Sequence, residues 1–294
     1  MPAPIRQMPP WPRRLGLLAA FAAAATLAML LVGAGASRPE PPPLAAATPP
    51  PRVVPCRAGS SRARARTPRY ATIAALGHRG REPHANLAVT TPRPWVALTF
   101  DDGPWPATTP AVLRTLRRFH AHATFFVIGL FAARYPGLLR RERAAGDEVA
   151  NHTLDHRPLA DVAGGSRLRP AAIRREIDGG RQAICRAGLP APAFFRPPYG
   201  HGLFSGRITA EARAVGERTV GWDVALDRFL LRRPTIEVAV SGILAQVRPG
   251  TIILLHDGSV GNATHAGTLA ALPRLLAGLR ARGLEAVSLG RLLS

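Results

Sequence analysis

From Trp95 onward, short apolar runs alternate with longer stretches in which apolar residues recur every three or four positions. "WVALTF", "ATFFVIG", "AFFRPP", "RTVGWDV", "GTIILLH" and "LEAVSL" read as buried strands. Between them "TPAVLRTLRRFH", "RYPGLLRRERAAG", "RPAAIRREIDGGRQAICRAG", "TAEARAVGE", "TIEVAVSGILAQV" and "GTLAALPRLLAGLRARG" read as amphipathic helices. Strands alternating with helices of this length are the signature of parallel β/α units. Roughly seven strands predict an α/β fold, a closed or nearly closed parallel β/α barrel, in which chemistry gathers at the C-terminal strand ends.

The N-terminus has a different pattern. Arg6, Arg13 and Arg14 precede an uncharged apolar run from Leu15 to Ala36. That run is long enough to span a bilayer, yet it closes on Ala34-Gly35-Ala36, a small-residue cleavage pattern. Residues 1–36 are therefore expected to direct export, as a signal peptide or as a membrane anchor. The flanking arginines keep the N-terminus cytoplasmic and place the rest outside, in the periplasm or the extracellular space. Residues 37–93, rich in Pro, Ala and Arg, show no sustained period and read as an extended spacer. A single domain is expected over 94–294, and nothing in the pattern asks for more than a monomer.

The formal charge of +21 comes from 39 basic residues, all of them arginine. Nucleic-acid binding normally clusters Lys with Arg; here the arginines are spread along the chain, with one local cluster at "SRARARTPR". No nucleic-acid partner is expected. What remains is attraction to anionic surfaces such as phospholipid headgroups or acidic wall polymers. The two cysteines, Cys56 and Cys185, could pair in an oxidising compartment or stay free, and no thiolate zinc pattern exists.

Candidate chemistry starts at "VALTFDDGP". Asp101 and Asp102 stand side by side where a buried strand ends, and such a pair is costly unless a cation or hydrogen-bond donors compensate. Asp-Asp-Gly-Pro is also good turn chemistry. "NHTLDHRPL" supplies His152 and His156, an i, i+4 pair that a helix or tight turn brings to one side, and neutral imidazole is the commonest metal ligand. Arg196, Asp223 and His256 each fall at or just beyond the end of a strand-like run.

"TFDDGP", "NHTLDH", "FRPPYG" and "ILLHDG" occur in this order, supported by "ATFFVIG", "RRERAAGDEVANHT" and "LPRLLAGLRARG". Together they make the chain similar to the polysaccharide deacetylases of carbohydrate esterase family 4, the NodB homology domain, over about residues 94–290. The resemblance implies a distorted barrel of about seven strands that removes N-acetyl, or O-acetyl, groups from an exported or cell-envelope glycan. It further implies one divalent metal, zinc first with cobalt or nickel as alternatives, on Asp102, His152 and His156. Asp101 would be the general base, Arg196 its holder, His256 the acid for the departing amine, and the Tyr199 backbone N–H an oxyanion donor. Leu254 would help line the acetyl pocket.

One motif departs from the family pattern. Where W-x-V-D-x-x-D-W is common, this chain has "WDVALDRF", with Ala225 and Arg228 at the carboxylate positions and Phe229 replacing the Trp. Phe229 can keep an apolar wall. The missing carboxylates leave His256 without an obvious partner, and Asp223, read as two residues before Ala225 on the same strand, is the candidate replacement on His256 or Arg196. The rival reading is a glycan-binding module that keeps the barrel but has lost turnover.

Overall fold

The computed structural model describes Cys56 and residues 89–160, 168–231, 235–258 and 265–294. The export segment 1–36 and the spacer up to residue 88, Cys56 excepted, lie outside the described residues.

The sheet is built on β1 (Trp95–Gly103), which is buried along nearly its whole length. A strand buried on both faces reads as a continuous apolar run rather than an alternation, which is why "WVALTF" is so plain in the sequence. Val96, Leu98 and Phe100 point to one face, into a cluster with α1 (Thr109–Phe119) and α8 (His265–Ala281). Ala97 points to the other, where Phe126, Ala150, Phe194 and Ile252 meet the C-terminal residues Leu289, Leu292 and Leu293.

Beside β1 lie β2 (Thr124–Val127), β3 (Glu148–Asn151), β4 (Phe194–Phe195) and β5 (Arg218–Thr219) on one side, and β7 (Ile252–His256) then β6 (Val224–Ala225) on the other. Every pairing is parallel. An eighth strand, β8 (Glu285–Val287), pairs with Trp95–Ala97 of β1, below the point where β2 joins at Thr99. The seven-strand path is a curled half-barrel, the distorted β/α barrel expected. Its terminal strands, β5 and β6, are bridged by residues 220–223 instead of a ladder.

The connecting helices are α2 (Gly129–Arg134), α3 (Pro136–Ala144), α4 (Pro170–Arg186), α5 (Gly206–Ala214), α6 (Leu226–Leu230) and α7 (Ile236–Leu244). Prolines open α1, α3 and α4, where a missing N–H costs nothing and the fixed φ suits the helix.

Two elements differ from the sequence reading. "RTVGWDV" is two short strands at opposite ends of the sheet, because Val220–Asp223 crosses the open seam. β3 is only four residues long, too short to show an alternation against the neighbouring helix. Cys56 and Cys185 are joined in a disulfide, and Arg181 donates to the Cys56 carbonyl at 3.0 Å, so the upstream chain is stapled to α4.

Candidate active site

Adjacent residues of a regular strand point to opposite faces, so Asp101 and Asp102 should not share a site. A register shift resolves this. Asp101 pairs with Phe126 and Gly103 with Val127, leaving Asp102 as the extra residue of a bulge at φ 71°. Aspartate tolerates the left-handed region better than most side chains, and a bulge re-aims its residue. The bulge is packed tightly: a Cβ on Gly258 would fall 1.7 Å from the Asp102 carbonyl oxygen, and one on Gly103 2.4 Å from Asp257 Oδ1. Glycine is required at both positions by close approach.

His152 directly follows β3, and its Nδ1–H donates to the Arg196 carbonyl at 2.8 Å. A carbonyl only accepts, so the proton sits on Nδ1 and Nε2 is left with a free lone pair facing the carboxylates. His156 reaches the same place from a turn, not a helix, in which Thr153 and His156 both have positive φ. His156 Nε2 lies 3.0 Å and His152 Nε2 3.4 Å from Asp102 Oδ1. Ligand atoms of the three buried residues lie within 4.8 Å of one another. Two imidazoles and one carboxylate, converging with one tautomer fixed, fit a divalent cation with coordination positions open to water. Burial would raise the Asp102 carboxyl pKa, but the approach of His152 and His156 more than offsets this and holds it well below the usual carboxylate range.

Asp101 is held separately. Arg196, fully buried, donates from NH1 to Asp101 Oδ1 at 2.7 Å and to Thr99 Oγ1 at 3.0 Å. Its NH2 donates to the Gly221 carbonyl at 2.8 Å and its Nε to Val220 at 3.3 Å. The guanidinium lies 4.0 Å from the Phe126 ring centre and 5.5 Å from that of Trp222. Arg196 thus ties β1 to the chain crossing the seam while fixing one oxygen of Asp101. The other oxygen, Oδ2, is 3.7 Å from His152 Nε2, on the side of the histidines.

His256 ends β7 opposite Asp101 of β1. Its carboxylate partner is Asp227, which pairs with Nδ1. The sequence reading missed this residue. Ala225 of β6 is level with Leu254 of β7, α6 begins at the next residue, and Asp227 in its first turn meets His256. Burial alone would lower the His256 pKa; Asp227 overrides it and raises the value to about 9.

The role expected of Asp223 is corrected by the same geometry. Its Oδ2 accepts from the Ile252 N–H at 2.7 Å and its own N–H donates to the Ile252 carbonyl at 2.9 Å. Ile252 starts β7 and His256 ends it, about 13 Å apart at the usual rise per residue. Because "RTVGWDV" is not one strand, the i, i+2 argument for Asp223 does not apply. Phe229 also lies elsewhere, packed against Gly242 of α7 and the helix-side core. The aromatic beside Arg196 and Gly200 is Trp222. Leu254, buried two residues before His256, shares its face. Tyr199 adopts φ 59° in the turn Pro198–Gly200, half-exposed, with its ring 4.7 Å from that of His156.

A short buried strand end thus carries one carboxylate among two histidines, a second on a buried arginine, and a histidine–aspartate pair across the mouth. Such an arrangement sets three residues that could hold a cation beside groups able to take and give a proton. The polysaccharide deacetylase family model matches residues 88–220. A chitooligosaccharide deacetylase of Bradyrhizobium sp. (strain ANU 289) is 41% identical over 200 residues, 65% of this chain and 86% of that protein. A peptidoglycan-N-acetylglucosamine deacetylase of Bacillus cereus is 34% identical over 198 residues, 67% of this chain and 87% of that protein. Among solved structures, a family 4 carbohydrate esterase from Streptomyces lividans, in complex with acetate, aligns with a TM-score of 0.57 at 34% identity, covering 65% of this chain and 91% of that one. The chain belongs to the polysaccharide deacetylase family. The span matched by the family model ends before Asp227 and His256, and the pairing of Asp227 with His256 is read from the geometry.

Proposed function

We propose that this protein is a metal-dependent hydrolase that removes N-acetyl groups from an N-acetylglucosamine-containing glycan outside the cytoplasm. The observation that carries this reading is the separation of two adjacent carboxylates, Asp102 among imidazoles and Asp101 on Arg196. Asp102, His152 and His156 would hold the cation, with zinc best suited to a mixed nitrogen and oxygen donor set. A cation bound there would lower the pKa of water to about 7 and polarise the acetamide carbonyl.

The protein's own groups do the rest. Asp101, fixed by Arg196 through Oδ1, accepts the water proton at Oδ2. The Tyr199 backbone N–H donates to the oxyanion as the carbonyl carbon becomes tetrahedral. His256, kept protonated by Asp227 at Nδ1, gives its Nε2 proton to the departing amine. Leu254, on the His256 face, lines the space for the acetyl methyl. Asp227 restores to His256 the carboxylate that Ala225 and Arg228 do not supply, and this favours turnover over the binding-module reading.

Export is supported by the uncharged run from Leu15 to Ala36 and by the Cys56–Cys185 disulfide, since such bonds persist in oxidising compartments. The named activities of the relatives point to chito-oligosaccharide or peptidoglycan substrates. Acetate release from N-acetylated chito-oligosaccharides, peptidoglycan and an O-acetylated xylan, with zinc or cobalt added, tests the reading. Release from the N-acetylated glycans is expected. Glycan binding without release from any of them would leave the binding module instead.

A further inference from the structure

Arginines that look scattered along the sequence gather at one end of the folded domain. In a parallel β/α sheet each connecting helix runs antiparallel to the strands, so helix last turns lie at the strand starts, opposite the site. Those turns carry Arg117 and Arg118 on α1, Arg141 and Arg143 on α3, Arg186 on α4 and Arg280 on α8. All six are exposed, and none is in an ion pair among the described residues.

The carboxylates at this end offset them only in part. Glu142, Asp147 and Glu217 are buried, and burial raises their pKa and so favours the neutral form. Glu148, which accepts from Thr124 and Gly290, feels the charges of Arg218 and Arg143, Asp223 accepts from the Ile252 N–H, and Glu285 is taken up by Arg291. Each arginine suits the negative end of its own helix. The parallel topology adds these local placements into one positive field at the pole facing away from the catalytic mouth.

A second observation says what that pole meets. Cys185, in the last turn of α4, carries the disulfide to Cys56, and Arg140 of α3 donates to the carbonyl of Ala187 just beyond it at 3.2 Å. The chain that follows the apolar segment Leu15–Ala36 is therefore stapled to the domain at this same end, at the last turn of α4, with about twenty residues between Ala36 and Cys56.

We infer that the arginine-bearing pole is a docking surface for an anionic phospholipid bilayer, seating the domain on the membrane with its mouth turned outward. An acidic wall polymer would satisfy the charge, but the position of the Cys56 staple favours the bilayer. The inference rests on the proposed export of the domain and takes residues 15–36 as a retained membrane anchor, one of the two alternatives that the sequence leaves open.

The test places the intact chain in nanodiscs of phosphatidylglycerol or of phosphatidylcholine and reads amide hydrogen exchange in the last turns of α1 and α3. Slower exchange is expected there on phosphatidylglycerol alone, lost in ~1 M salt, where the screening length falls to about 3 Å. A variant combining Arg117→Gln, Arg118→Gln, Arg141→Gln and Arg143→Gln should lose the protection while releasing acetate from soluble oligomers at the parent rate. Each neutralised arginine should weaken docking about fivefold. Equal exchange on both lipids would overturn the proposal. Protection by soluble polyphosphate with none on phosphatidylglycerol would overturn it in favour of a polymer. Export is read separately with a reporter fused after Ser294, so its failure would not be mistaken for failure of docking.

Discussion

On either side of β7 the sheet brings a carboxylate to the same mouth, by different means. On the β1 side a nine-residue buried strand bulges at Asp102, and both acids come from the strand itself, one on Arg196 and one among histidines. On the β6 side a two-residue strand gives way at once to α6, and Asp227 comes from the first helical turn. A long strand fixes where its end residues point. A short strand that follows a seam crossing leaves that to the number of residues spent crossing, which no local pattern records.

The comparison breaks most severely at the proposed metal ligands: His152→Ala should bring metal content and acetate release to background together, checked by elemental analysis and rate. Arg196→Lys comes next, since a lysine cannot reproduce the fork that reaches Asp101, Thr99 and Gly221 at once. Leaving a buried charge poorly paired costs about 3–5 kcal/mol, so a large loss of stability by chemical denaturation should accompany loss of rate.

Asp227→Asn tests the β6 side alone. In the proposed mechanism His256 acts as an acid in its protonated form, so kcat/KM should fall as pH rises through about 9 in the parent protein. Without the Asp227 charge the His256 pKa drops, and the alkaline limb should move to lower pH with a loss of rate of ~10-fold or more. Asp223→Asn should do least. Its amide oxygen can still accept from Ile252, so a stability change under about 1 kcal/mol and an unmoved alkaline limb are expected. A limb that moved with Asp223 and not with Asp227 would reverse the assignment of the two residues.

The β1 half was legible because its signals are local: a doubly buried strand, two carboxylates at its end, and histidines at a spacing that suits one turn. The bulge that lets both acids face one site was not, since it depends on pairing with β2 and on the glycines at 103 and 258. Asp227 was hidden because "RTVGWDV" reads as one apolar run, and only the tertiary course sends its two halves to opposite ends of the sheet. The arginine pole was invisible for a similar reason. Each arginine sits at a separate helix end, and the topology collects them.

The central claim, that neighbouring carboxylates divide the labour, is tested most directly by measuring zinc content and acetate release side by side for Asp101→Asn and Asp102→Asn. Asp101→Asn should keep the metal and lose ~10²- to 10⁴-fold in rate, the usual consequence of removing a general base. Asp102→Asn should fail to retain the metal. Equal metal content and equal residual rate in the two variants would contradict the account.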